Sequence, residues 1–138
     1  MKTKKFTELI NENLIKGKSI YLAGGWGTWR DTVIDEFKDI NINWLDPRIA
    51  KDKSNWFQIE VDMVRECDLI IAWVMADNKS GFGMTYEMGM AYALGKPYIL
   101  INEKEDKYQW SMQSSGAYKN FTTHEEAFSW MRSNNWLD

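Results

Sequence analysis

The chain has 138 residues, 44% of them hydrophobic and 27% charged, with a formal net charge of −3. That length holds one domain with a sizeable core and is short for two, and the composition is that of a folded globular protein. The slight acidity gives no basis for a polymeric nucleic-acid partner, which would be held through its phosphates.

Taken in chain order, "TKKFTELINENLIK" (3–16) spaces Phe6, Leu9, Ile10 and Leu14 as one helix face, with Gly17 as a stop. The opening "MKTKK" is similar to the start of a secretion signal, but the Glu and Asn of "FTELINENL" spoil the apolar stretch that must follow, so a cytoplasmic protein is expected. "KSIYLAGG" reads as a short buried strand, and "WGTWRDTVIDEFKD" as a helix with Val33, Ile34 and Phe37 inward. "NINWLDP" is a second strand closed by Pro47. "NWFQIEVDMVREC" is helical, with Trp56, Ile59 or Glu60, Met63 and Val64 on one side. "DLIIAWVMA" is a continuous apolar run: strand length, covered on both faces, and far short of the roughly 20 residues that span a bilayer. "GFGMTYEMGMAYALGKP" follows as a helix, and "PYILIN" as another buried strand. "EKEDKYQWSMQSSG" has no clear period, "YKNFT" suggests a last short strand, and Thr123 with Glu126 forms a capping box that opens a C-terminal helix.

Strands alternating with helices imply a parallel sheet. The expected fold is one domain over 1–138: an α/β three-layer sandwich, flavodoxin-like or Rossmann-like, with a central parallel sheet of four to five strands and helices on both faces. Ligands in such folds bind beyond the carboxyl ends of the strands, where strand order reverses. That rule selects "AGGWGTWRD", "DPR" and "MADNKSGFGM" as pocket loops.

Cys67 and His124 are the only residues of their kinds. An intrachain disulfide, a Cys/His zinc site and a histidine pair on a metal are therefore excluded, and a Ser-His-Asp triad requires His124. Carboxylates and hydroxyls are left to do any chemistry, without a cofactor. Glu87 stands out. Counting in threes and fours, it shares a stripe with Met84, Ala91 and Leu94, which aims a carboxylate inward about one turn from the start of its helix. A helix N-terminus favours an anion and burial opposes ionisation, a combination that suits a nucleophile or base; a solvated first-turn glutamate is the plainer alternative. The glycines of "AGGWG" either bare backbone N–H groups to a ligand or only permit a tight turn. Glu60 lies on the inner face of its helix, while Asp62 and Glu66 form an exposed edge and Asp68 is placed to cap a turn. Trp26, Trp29, Trp44 and Trp56 are candidates to stack on a base or to fill core, with Trp26 best placed. Tyr21, inside a strand, reads as core.

Three segments in order, "IYLAGGW", "CDLIIAWV" and "GFGMTYEMGMAYALGKPYILI", resemble the nucleoside 2-deoxyribosyltransferase family over about residues 18–102. The resemblance implies that Glu87 is the nucleophile that attacks the anomeric carbon of a 2′-deoxynucleoside, with Tyr21 hydrogen-bonded near it. Glu60 then helps bind base or sugar, Trp26 lies near the base, and the glycines Gly24, Gly25 and Gly83 line the substrate. The place where many members carry an aspartate or serine for the sugar or a 5′-phosphate falls on Gly81, with Ser80 and Asp77 nearby. Related members hydrolyse deoxynucleoside monophosphates, and related modules bind nucleotides without turning them over. A small-molecule nucleoside or nucleotide partner and a homo-oligomer are the remaining implications, beside the absence of a membrane segment and of a metal already expected from the short apolar runs and the single Cys and His.

Overall fold

The apolar segments pair side by side: β1 (Lys18–Gly24), β2 (Ile42–Leu45), β3 (Leu69–Val74), β4 (Tyr98–Asn102) and β5 (Lys119–Phe121) form one parallel sheet in the order β2-β1-β3-β4-β5. The helices are α1 (Trp29–Glu36), α2 (Trp56–Glu66), α3 (Phe82–Ala93), α4 (Ser111–Gly116) and α5 (His124–Ser133), with helical turns at Pro47–Ala50 and Tyr108–Trp110. The computed structural model describes residues 18–79 and 81–137; the helix expected over residues 3–16 lies outside the described residues, and so does Ser80. Among the described residues no helix is long and apolar enough to cross a membrane.

The pleat of β1 separates two cores. Ile20 and Leu22 pack with Trp29, Val33 and Phe37 of the α1 region and with Phe128 and Met131 of α5. Tyr21 and Ala23, on the opposite face, pack with Met63 and Val64 of α2, Met84, Met88 and Ala91 of α3, and Trp110. The result is the expected three-layer α/β sandwich, with α1 and α5 on one face and α2 and α3 on the other. Every residue of β3 and β4 is buried, which is why those strands read as unbroken apolar runs.

Local chemistry fixes the ends. Gly95, at φ +72°, lets Lys96 N–H reach Ala91 C=O (2.8 Å) and Gly95 N–H reach Tyr92 C=O (3.1 Å), a Schellman stop for α3 that Pro97 then seals. Leu94, expected on the inner stripe, is 48% exposed. It falls past the last turn, and Met88 takes the buried place. Asp68, expected to cap a turn, instead accepts from Ser19 N–H of the neighbouring β1 at 2.8 Å. The stretch without a period, 103–116, holds α4 and the turn that buries Trp110. Thr123 accepts from Glu126 N–H at 3.3 Å and caps α5. Thr123→Ala is expected to cost about 1 kcal/mol, read as a midpoint about 3–4 °C lower in a thermal melt; an unchanged midpoint would show that the cap is idle.

Candidate active site

Strand order reverses between β1 and β3, and beyond their carboxyl ends the β1–α1 and β3–α3 loops part to leave a cleft of about 510 Å³. Its lining includes Gly24, Gly25, Trp26 and Arg30 from the first loop and helix, Trp56 and Glu60 from α2, and Gly81, Gly83, Met84 and Glu87 from the second loop and α3. A volume of this size suits a drug- or nucleoside-sized ligand.

Glu87 lies in the cleft wall and accepts a hydrogen bond from the Tyr21 hydroxyl through Oε2. Burial is the main force on its carboxyl and, with Glu60 close by, pushes it up to about 7, against the Tyr21 hydrogen bond and the Arg30 charge. The Tyr21 phenol is driven well above its ordinary range by burial and by Glu87, so it stays protonated and donates. Tyr21 is fully buried and stands behind Glu87, off the cleft surface. The strand position that made it read as core is also what aims its hydroxyl at the carboxylate. Glu87 is the sixth residue of a helix that starts at Phe82, so it sits in the second turn, where the field of the helix end has largely decayed. Its ionisation depends on specific partners instead.

Glu60 faces the same cleft, and burial raises its carboxyl while Arg30 opposes the rise. Trp26 is 60% exposed at the mouth, whereas Trp29 is core: its indole N–H donates to Gly25 C=O at 2.8 Å. Trp56 lines the cleft as well, and Trp44 packs against the α1 side of the sheet. Neither Trp29 nor Trp44 is placed to stack on a ligand there. Gly81 carries φ +157°, and a Cβ on it would lie 2.4 Å from the Trp110 ring. Position 81, where the resemblance implies an aspartate or serine, is closed to a side chain here by a buried tryptophan. Asp77 faces a neighbouring hollow with Met75 and Asn78 and is not among the residues lining the Glu87 cleft. The chain turns at Ala76 and Asp77, and it is Asn78 and Lys79 that reach the cleft.

His124 is remote from all of this, stacked 4.7 Å from Trp73 and bonded to Glu103 at 2.9 Å, so no hydroxyl triad forms around it. Cys67 is buried, its thiol pushed up to about 12 by desolvation, and serves as packing. Among the described residues no group of three or more His, Cys, Asp or Glu is placed to hold a metal ion.

The residue that sequence reasoning missed is Arg30. It is 1% exposed and donates Nε to Leu22 C=O (3.1 Å), Nη1 to Gly25 C=O (3.0 Å) and Nη2 to Gly24 C=O (2.9 Å). A charge in the first turn of a helix reads as solvated, and only its place directly after a glycine-rich turn with bare carbonyls marks it.

A family model described as "Nucleoside 2-deoxyribosyltransferase like" matches residues 17–105. No curated protein matches the sequence. Among solved structures, a 2-deoxyribosyltransferase from Bacillus psychrosaccharolyticus superposes with a TM-score of 0.67 at 18% identity, covering 80% of this chain and 90% of that one. A CMP N-glycosidase from Clostridium botulinum gives 0.55 at 22% identity, covering 83% and 99%. At such identities the likeness shows a shared fold, while the family match spans both loops and the helix that build the cleft. The chain belongs to the nucleoside 2-deoxyribosyltransferase-like family of enzymes.

Proposed function

We propose that the protein breaks the N-glycosidic bond of 2′-deoxynucleosides and passes the deoxyribosyl group to another base through a covalent ester on Glu87. The observation that carries this reading is the Tyr21–Glu87 pair: a half-buried carboxylate, held by one phenol, in the wall of a nucleoside-sized cleft at the switch point of the sheet. In the first step a Glu87 oxygen attacks C1′ and the C1′–N bond breaks, its electron pair leaving with the base, which gains a proton. In the second step a nitrogen of the incoming base attacks C1′ from the opposite face and loses its proton to solvent, the ester C–O bond breaks and the carboxylate returns. Two inversions retain configuration. Glu60, at the same end of the cleft, is suited to hold the base or sugar, and Trp26 to stack on the base.

A second reading has a specific observation in its favour. Lys51 and Lys79 line the cleft with Arg30, and three cations there suit a 5′-phosphate. Water as the acceptor would then make the protein a deoxynucleoside monophosphate N-glycosidase. The test incubates the protein with each 2′-deoxynucleoside and its 5′-monophosphate, with and without a second free base, beside Glu87→Ala. A new deoxynucleoside that vanishes with the mutation supports transfer, and free base alone supports hydrolysis. Tight binding with no base released would overturn both in favour of a nucleotide-binding module.

A homo-oligomer is the remaining expectation. Phe82, 87% exposed, with Phe57 and Tyr86, makes an aromatic face on α2 and α3 that runs into the cleft beside Glu60 and Glu87, and such a patch marks an interaction surface. Light scattering at micromolar concentration is expected to give a multiple of the chain mass, and a monomer would contradict this.

A further inference from the structure

We propose that Arg30 is a positioning residue for the Glu87 carboxylate: one buried guanidinium ties the β1–α1 turn to the strand end and sets a fixed positive charge in the cleft wall beside the Tyr21–Glu87 pair. This rests on the reading of Glu87 as the nucleophile.

A buried guanidinium is expensive unless its donors and its charge are both satisfied. The donors are met by three carbonyls, Leu22, Gly24 and Gly25, which lie at the end of β1 or just past it. The Trp29 indole lies 4.5 Å from the guanidinium, and the Trp26 ring 5.6 Å away, so the same group underlies the exposed tryptophan at the cleft mouth. The charge is met only in part. Asp46 is the nearest carboxylate, at 3.9 Å, and it is already engaged by Arg48 at 2.7 Å. Carbonyls alone could be held by neutral donors or water. A cation is called for by the two carboxylates of the cleft, Glu60 and Glu87, which repel each other in a half-buried site.

The groups that act on Glu87 can be named from each packed element. Tyr21 from β1 donates a hydrogen bond, Glu60 from α2 repels, and Arg30 from α1 attracts. Lys51 and Lys79 stand on the exposed rim, where water and salt screen them. The end of α3 is a turn away. Arg30 is thus the buried cation of the site, and the turn it fastens carries Gly24, Gly25 and Trp26. One residue couples the state of the nucleophile to the place of the base.

The test titrates the Glu87 carboxyl by carbon-13 NMR in the folded protein, assigned by difference with Glu87→Gln, for the parent, Arg30→Lys and Arg30→Met. Arg30→Met is expected to raise the Glu87 midpoint by roughly one pH unit, and to move the acid limb of kcat/KM by the same amount. Arg30→Lys, which keeps the charge and loses the fork, is expected to leave the midpoint near its parent value while lowering kcat/KM through a looser turn. A midpoint that stays put in folded Arg30→Met overturns the proposal and leaves Arg30 a structural clamp. If Arg30→Met does not fold, Asp46→Asn examines the same field: freeing the Arg30 charge is expected to lower the Glu87 midpoint, and no movement overturns the proposal. Turnover surviving in Glu87→Gln would sink the nucleophile assignment instead, an outcome separate from either result on Arg30.

Discussion

Glu87→Gln is expected to lower base release by about four orders of magnitude and, at pH 8, to leave the protein more stable than the parent by about 2 kcal/mol. The first effect follows from chemistry, since an amide cannot form the glycosyl ester. The second follows from linkage. The Glu87 carboxyl is raised to about 7 in the folded protein from an ordinary value of 4.5, so between those values the folded state binds a proton that the unfolded chain has lost. Stability contributed by this group therefore falls as pH rises through that window, by up to about 3 kcal/mol once the carboxylate is fully ionised. Glutamine carries no charge to desolvate and keeps an acceptor for the Tyr21 hydroxyl. Melting curves of the two proteins should nearly coincide at pH 5 and separate at pH 8 by roughly 6–8 °C, glutamine higher. The reverse order at pH 8 would mean that the ionised carboxylate is stabilised where it sits, and the argument for a poised nucleophile would fail. Activity and stability pull against each other at this one residue.

The parts of this molecule that could be read from sequence are those whose burial is set by their own neighbours. β3 and β4 were visible as apolar runs because strands covered on both faces have no polar side, and α3 because Gly95 and Pro97 mark its end. Glu87 was visible because its stripe was otherwise apolar. What stayed hidden depends on where a helix begins or on what lies across the fold. α1 starts at Trp29, not at Trp26, and those three residues decide which tryptophan is core and which stands at the cleft. The same offset places Arg30 under the turn. α3 starts early enough, at Phe82, to put Glu87 beyond its first turn. Trp110 comes from a stretch with no period, and its burial is fixed by Gly81, which has no side chain to compete for the space. A distant glycine and a tryptophan that fit together leave no trace in either local sequence.

Gly24→Ala and Gly83→Val are expected to fail in opposite ways. A Cβ on Gly24 would stand 2.6 Å from Trp29 Cζ2 and 2.7 Å from the backbone oxygen of Trp73. Neither can yield cheaply: the indole is pinned by its bond to Gly25, and the oxygen belongs to the neighbouring central strand. Overpacking of this kind costs about 1–3 kcal/mol, occasionally more, so the melting midpoint should drop by roughly 3–12 °C. Activity should fall with it, because Gly24 C=O is also an acceptor for Arg30. Gly83 differs in that a Cβ there meets nothing within 4 Å, and the residue lies in the first turn of α3 on the cleft lining. Valine should therefore change stability by less than about 1 kcal/mol, while its two methyl groups occupy ligand space beside Glu87 and cut kcat/KM by at least roughly tenfold. Melts and base-release assays on both variants separate the two cases. A Gly83→Val protein that unfolds early, or that turns over at the parent rate, would show that the ligand does not approach this backbone; a Gly24→Ala protein that melts with the parent would mean that the β1 end and the Trp29 ring are looser than their hydrogen bonds imply.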